Sequence, residues 1–295
     1  MKIPKYIILD KAVGETPLSC TEAYRATRPE LIGVPMAYAG RLDPMASGKL
    51  LVLLGDECKN QTNYHGLDKE YEFSVLFGIA SDTQDVLGRL STCTFDSTDN
   101  QSSDCVGLGL APRSAQDEDS IVSALQKEIA TLIGPIELPY PHFSAKTVQG
   151  KPLHMWTLEG RLNEITIPTQ ASEIYELELV GTETKTREVV AAEARAKIDT
   201  IPPVTDLRKA LGNDFRRVDV RKDWAEIASG NFGPVPLPDS YLIAHLRCIA
   251  SSGTYMRSLA ELIGEKLGSC SLAWRIHRTK IGTFDTTTKN WTTQH

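Results

Sequence analysis

Three residues have the type and setting to do chemistry: Asp43, Arg257 and Tyr71. Asp43 stands between Leu42 and Pro44, just before the apolar run 50–54. The following proline disfavours the α region, so Asp43 is expected to be held extended. A carboxylate fixed at the mouth of a sheet can act as nucleophile or base. The same residue can equally be a turn aspartate bonded to its own backbone. Arg41 lies two positions earlier. Arg257 falls in the first turn of an expected helix, where a cation opposes the helix dipole at a cost of about 0.3–1 kcal/mol. Either an anion close by compensates it, or it is a surface arginine that tolerates the cost. Tyr71 lies on an alternating segment and is either a core tyrosine or a platform for a planar base. No spacing rule joins these three residues into one site.

The elements that must position them follow from pattern. Strands are expected at 3–9, 50–54, 69–77, 174–179 and 241–249. In 69–77, Tyr71, Phe73, Val75 and Phe77 alternate with Glu70, Glu72, Ser74 and Leu76, which predicts one buried face. A helix over about 22–28 would be capped by Ser19 or Thr21 and stopped at Pro29. Ile121, Val122, Leu125, Ile129, Leu132 and Ile133 share one helical face. The cluster Ser251-Ser252-Gly253-Thr254 offers N-caps for a helix running to about Leu267. Residues 81–85 read as a turn, without the glycine and terminal glutamate spacing of a calcium loop. Two stretches read as insertions: 94–120, polar and without period, and 187–236, mixed in charge and broken at Pro202-Pro203. Residues 138–156 form a connector rich in proline, aromatics and bases, among them Lys146 and Lys151.

Composition excludes several classes. The 295 residues are 41% hydrophobic and carry a formal charge of −6, ordinary for a globular protein. The longest apolar runs are too short to cross a bilayer as a helix, and the N-terminus lacks a signal-peptide core. A cytoplasmic protein is expected. Six cysteines without a CxxC pair suggest reduced thiols and no zinc site. A retaining glycosidase needs two carboxylates about 5–5.5 Å apart, and Asp56 and Glu57 lie a strand's length from Asp43. The charge is uneven. Residues 94–120 hold six acids and one base, and 245–280 hold six bases and two acids. A basic cleft lined by the C-terminal segment is expected, with the acidity on a peripheral loop.

Four segments carry a resemblance: YAGRLDPMASGKLLVLLGDECK (38–59), KEYEFSVLFGIASDTQDVLGRL (69–90), PYPHFSAKTVQGKPLHMWTLEG (139–160) and CIASSGTYMRSLAELIGEKLGSCSLAWRIHRTKIGTF (248–284). In this order they resemble the TruB family of tRNA pseudouridine synthases. The resemblance implies an α+β pseudouridine synthase fold: a mixed, largely antiparallel sheet, surrounding helices and a central RNA-binding cleft. It implies isomerisation of uridine to pseudouridine in the tRNA T-loop, on a flipped-out base, without metal or cofactor. Asp43 matches the family's nucleophile, Arg257 the arginine paired with it, and Tyr71 the tyrosine that stacks on the base. Tyr255 and Ile276 match pocket positions, Lys11 a supporting position, and Lys146 an RNA-gripping segment. Two positions depart from the family. Tyr38 replaces the usual histidine, and Arg41 the usual threonine. The chain is expected to be one catalytic domain, 1–295, without the family's C-terminal PUA domain, acting as a monomer on the tRNA T-arm with no protein partner and no membrane. The alternatives are a synthase acting on another RNA such as rRNA, or a non-catalytic RNA-binding or folding module.

Overall fold

The computed structural model describes residues 3–92, 115–202, 216–234 and 236–294. In chain order the elements begin β1 (Tyr6–Lys11), α1 (Pro17–Ala26), β2 (Met36–Ala39), β3 (Ala46–Leu54), α2 (Thr62–His65) and β4 (Asp68–Phe77). There follow β5 (Ile79–Ser81), β6 (Leu90–Thr92), α3 (Ala115–Ala130), β7 (Gly134–Pro139), β8 (Thr147–Val148), β9 (Lys151–Pro152) and α4 (Leu153–Leu158). The chain continues through β10 (Thr169–Thr186), α5 (Arg187–Asp199), α6 (Arg217–Ser229), β11 (Ser240–Ala250), α7 (Met256–Lys266), β12 (Ser271–Asp285) and β13 (Asn290–Gln294). Nine strands form one sheet in the order β1-β3-β12-β4-β11-β10-β7, with β2 on β3 and β13 on β12. Every pair is antiparallel except β3 with β12. The fold is α+β with a mixed, largely antiparallel sheet.

β4 is central, between β11 and β12, and it is covered on both faces. Only Glu72 among its ten residues is exposed, so the expectation of a single buried face is corrected. The second face is closed mainly by polar pairing, with Leu76 at its end joining the main apolar cluster. Glu70 accepts from Arg247 (2.6 Å), Lys280 (3.1 Å) and Thr279 (2.7 Å), and Ser74 meets His245 Nδ1 at 2.8 Å. A buried carboxylate is tolerated because its charge and lone pairs are matched.

The first face carries the main core. Phe73, Val75 and Phe77 meet Leu125 and Ile129 of α3, Val190 and Ile198 of α5, Trp224 and Ile227 of α6, and Leu259 and Ile263 of α7 in one cluster. Burying each such side chain fully contributes about 1.5–3 kcal/mol. Within the 187–236 stretch, α5 and α6 are thus built into the core. Trp224 Nε1 donates to the Val86 carbonyl at 3.1 Å and its ring lies edge-on to Trp274 at 6.3 Å. Buried Asp223 accepts from Arg89 Nε (2.7 Å) and from the Leu90 amide (3.0 Å). The other expected insertion lies outside the described residues up to 114, with Asp96, Asp99 and Asp104; α3 begins within it and carries its other three acids, Asp117, Glu118 and Asp119.

Element ends moved where caps and pairing decide them. α1 starts early because Thr16, not Ser19 or Thr21, caps it, in a capping box with Ser19. Pro29 opens a 3-10 turn instead of merely stopping the helix. α7 is capped by Tyr255 without a side-chain bond, because Thr254 is bonded back to the Ser251 carbonyl. Ile133 is exposed despite its place in the apolar pattern, since α3 ends at Ala130. Cys270 is disulfide-bonded, with its partner outside the described residues, which corrects the expectation of six thiols; Cys20, Cys58 and Cys248 are free. Among the described residues no helix is long and apolar enough to cross a membrane.

The parallel β3–β12 contact depends on Gly48. Its φ is +104°, and a Cβ there would lie 2.2 Å from the Arg278 carbonyl oxygen. Gly33 also has positive φ (+77°) but open space around it. Gly33→Ala should cost about 1–2 kcal/mol, the left-handed backbone alone. Gly48→Ala should cost about 3 kcal/mol or more, because backbone must also move. Urea midpoints of the two variants would separate these; equal shifts would refute the close-approach argument.

Candidate active site

The sheet and its loops enclose a cleft of about 520 Å³ that brings Asp43, Tyr71 and Arg257 together. Three unconnected stretches supply them. Asp43 sits in the loop from β2 to β3, where the Ala46 amide bonds its carbonyl (3.0 Å) and the Gly14 amide bonds the Pro44 carbonyl (2.9 Å). Tyr71 stands on β4, opposite Arg278 of β12 and Cys248 of β11. Arg257 lies in the first turn of α7.

Arg257 resolves the conflict with its helix dipole by holding two carboxylates. Its Nε lies 2.8 Å from Asp43 Oδ2 and 3.9 Å from Asp85 Oδ2. The Asp43 contact is oblique, an ion pair rather than a well-aligned hydrogen bond. Nη1 donates to the Thr83 carbonyl at 2.8 Å. The arginine side chain is 6% exposed and that of Asp43 42%. The cation is therefore sealed behind the carboxylate, and the carboxylate remains open to the cleft. Burial works against the guanidinium charge, but Asp43 and Asp85 outweigh it and its pKa is raised. Burial likewise pushes the Asp85 carboxyl up, opposed by Arg257 and by the Thr83 hydroxyl at 2.6 Å.

The rest of the lining is aromatic and basic. Tyr255 and Tyr140 pack with centroids 5.2 Å apart, tilted by 57°. Tyr140 donates to Gln170 Oε1 at 2.6 Å, and Lys146 Nζ lies 4.6 Å above its ring. Burial raises the Tyr255 phenol, with Tyr140 and Asp43 adding to it. Ile276 and Phe143 complete the apolar wall, and exposed Arg41 stands at the rim.

Seven of the nine residues expected from the sequence line this cleft: Asp43, Tyr71, Arg257, Arg41, Tyr255, Ile276 and Lys146. Tyr38 and Lys11 do not. Tyr38 pairs with Val52 and packs into the small core beneath α1, with Leu9, Leu50 and Leu54. Lys11 is 1% exposed under the Asp43 loop, its Nζ bonded to the carbonyls of Ala12 (2.9 Å) and Ala46 (2.5 Å). It supports the loop from below and makes no wall. Asp85 and Lys69 were not singled out from the sequence for a role in the site, whereas Tyr140 and Phe143 were expected only as aromatics of the RNA-gripping connector and Arg278 only as one of the bases of the C-terminal segment. Lys69 was visible as the residue two before Tyr71 on the same strand face. Arg278 was hidden because β12 was not expected.

The cleft carries five bases (Arg41, Lys69, Lys146, Arg257, Arg278) and one acid, Asp43. The expectation that the C-terminal segment supplies this charge is corrected. Only Arg257 and Arg278 of its six bases reach the cleft. Arg247 and Lys280 are engaged with Glu70 on the other face, and Arg275 points to solvent.

The model of the TruB family pseudouridylate synthase N-terminal domain matches residues 34–200, more than half of the chain. The chain belongs to this family of pseudouridylate synthases. It is 27% identical over 280 residues to tRNA pseudouridine synthase B of Caldicellulosiruptor saccharolyticus, covering 95% of this chain and 68% of the relative. It is 30% identical over 170 residues to the protein of the same name from Syntrophus aciditrophicus, covering 57% of this chain and 46% of that one. It is 27% identical over 257 residues to tRNA pseudouridine synthase 4 of Saccharomyces cerevisiae, covering 80% and 58%. The chain thus spans between about half and two thirds of the length of these relatives. A solved Cbf5-Nop10-Gar1 complex contains a chain with a TM-score of 0.46 at 15% identity, covering 94% of this chain and 48% of that one.

Two measurements probe the site's electrostatics. Arg257→Met should destabilise the protein by about 3–5 kcal/mol, because it strands the buried Asp85. Adding Asp85→Asn should restore most of that loss; a double variant no more stable than the single one would contradict it. Burial lowers Lys11 from 10.5 to about 8. Between those pH values the unfolded chain binds more protons than the folded one, so this residue's contribution to stability rises with pH, by about 3 kcal/mol in all. Relative to Lys11→Met, the wild type should gain stability from pH 8 to 10; a constant difference would refute it.

Proposed function

We propose that this chain isomerises uridine to pseudouridine in RNA, with Asp43 as nucleophile, and that its substrate is the T-loop uridine of tRNA. The observation that carries this reading is the half-exposed Asp43 carboxylate backed by a buried Arg257, within a cleft that also holds Tyr71. A cleft of about 520 Å³ is in the range of small-molecule sites and admits one flipped nucleoside. The tRNA assignment is supported by the names of the relatives, and one catalytic domain by a main core that draws residues from Leu42 to Ile276.

The chemistry balances without an external reagent. The N1–C1′ bond of uridine breaks and a C5–C1′ bond forms, while C5 loses one proton and N1 gains one. Asp43 adds to C1′ of the sugar or C6 of the base and departs when the new bond is made. Arg257 holds the carboxylate in place between these events. Tyr71 stacks on the base and relays the C5 proton. Tyr255, Tyr140 and Ile276 confine the base while it turns, and Arg41 and Lys146 hold the RNA backbone at the rim.

The test uses a T-arm stem-loop labelled with tritium at C5 of its uridines. Wild type should release tritium and produce pseudouridine at one T-loop position. Asp43→Asn should bind the same RNA but release tritium only at background. Turnover by that variant would overturn the nucleophile. Conversion confined to a different RNA would move the substrate to rRNA or elsewhere. Binding by the wild type without any conversion would make the chain a binding or folding module.

A further inference from the structure

Two of the cleft's cations are buried without an ion-pair partner among the described residues. Arg278 is 1% exposed and Lys69 6%. Neutral acceptors are all they meet. Lys69 Nζ donates to the Leu67 carbonyl, to Ser252 Oγ (3.0 Å) and, more weakly, to the His65 carbonyl (3.5 Å). Arg278 donates through Nε to the Lys49 carbonyl (2.7 Å) and through Nη2 to the Gly40 carbonyl (3.2 Å). Among the described residues neither has a carboxylate within ion-pair distance, and no pairing beyond these is left over for them. Other arginines of this chain are treated differently. Arg257 holds Asp43 and Asp85, Arg247 holds Glu70 and Glu176, and Arg89 holds Asp223.

Burying two like charges side by side is costly unless an anion joins them. Burial and then the Arg278 charge push Lys69 down to about 8, against a weaker upward pull from Asp68, which makes no ion pair with it. Lys11 adds a third buried cation beneath the same floor, and the Arg278 charge is among the causes that lower it.

Geometry places the missing anion. Lys69 and Tyr71 point from the same face of β4, and Arg278 is the cross-strand partner of Tyr71. The two cations therefore flank the tyrosine at the cleft floor. Gly40 lies over both. A Cβ built there would be 3.5 Å from Arg278 Nη1 and 3.7 Å from Lys69 Cε, and φ is +83°. With no side chain at Gly40, the space between the two cations opens to the cleft. Ser252, which also lines the cleft, adds a hydroxyl beside Lys69.

We propose that Lys69 and Arg278, beneath Gly40 and beside Ser252, form a subsite for one phosphodiester of the RNA, the phosphate adjoining the nucleotide that stacks on Tyr71. This deepens the reading of the cleft as a uridine site and rests on it. Lys69 and Arg278 are positioning residues. They read the backbone and not the base, and they set how far the flipped nucleotide enters.

The test neutralises the phosphate as well as the protein. T-arm RNAs carry a single methylphosphonate 5′ or 3′ of the target uridine, and affinity is read by fluorescence anisotropy, which needs no turnover. Lys69→Gln keeps a donor toward Ser252 and removes the charge. Wild type should lose about 10- to 100-fold in affinity for one of the two neutralised RNAs. Lys69→Gln should lose a similar factor on unmodified RNA, with thermal unfolding near wild type, and should be indifferent to that same methylphosphonate. Its salt slope on the loop RNA should fall by about 0.7. Wild-type indifference to both methylphosphonates, or losses that simply add, would overturn the subsite even if the enzyme makes pseudouridine. Competition by inorganic phosphate at matched ionic strength, with no methylphosphonate effect, would reassign the pair to a free anion. Failure of turnover with the anisotropy pattern intact would overturn the catalytic reading and leave the subsite standing.

Discussion

The site depends on one buried guanidinium. Arg257 sits where a helix least favours a cation, and it is 95% removed from solvent. Only carboxylates can make that position tolerable. Two provide it, and they come from different parts of the chain: Asp43 from the β2–β3 loop and Asp85 from the turn after β5. One ion cluster thereby ties α7, the edge of the main sheet and the β5–β6 region together. Asp85 is fully enclosed, so it anchors the arginine permanently. Asp43 is the partner left with a free side. The arrangement separates an enclosed carboxylate from an accessible one by burial alone, since both groups are aspartates.

The sheet explains why the cleft forms where it does. β12 is the shared member: it pairs with β4 along most of its length and with β3 in parallel over three residues. That short parallel contact brings the start of β3, and with it the Asp43 loop, beside the strand that carries Ile276 and Arg278. Gly48 allows the backbones to meet. Lys11, from the end of β1, fills the space under the loop and bonds its last carbonyl. The opposite wall is made differently. It comes from the connector 138–158, which carries Tyr140, Phe143 and Lys146 and is folded on a two-residue hairpin and a short helix.

Much of this was legible in the sequence. The alternation in 69–77 placed Tyr71, Phe73, Val75 and Phe77 on one face, and the core confirms it. The odd first-turn position of Arg257 left a nearby anion and a tolerated surface charge open, and Asp43 and Asp85 supply the anion. What stayed hidden was whatever required two segments to meet. Asp85 reads as an ordinary turn aspartate until Arg257 is beside it. β12 escaped notice because Arg275, His277 and Lys280 break its apolar pattern, and burial of Arg278 is not a thing periodicity expects. Tyr38 was assigned to the site through the resemblance, as the residue in the family's histidine position, whereas the strand β2 packs that side chain against the small core beneath α1. The 187–236 helices looked like an addition because their polar faces dominate the composition, although Val190, Ala194, Trp224 and Ile227 are fully enclosed.

The contrast between the chain's total charge of −6 and its five-base cleft has a consequence for encounters in solution. At long range a polyanion meets the net charge, which opposes approach, and at short range it meets the five bases, which favour it. The two effects respond differently to salt, since screening removes the distant repulsion first and the close attraction last. Moderate ionic strength should therefore hinder association with the cleft less than it would for a protein that is basic throughout.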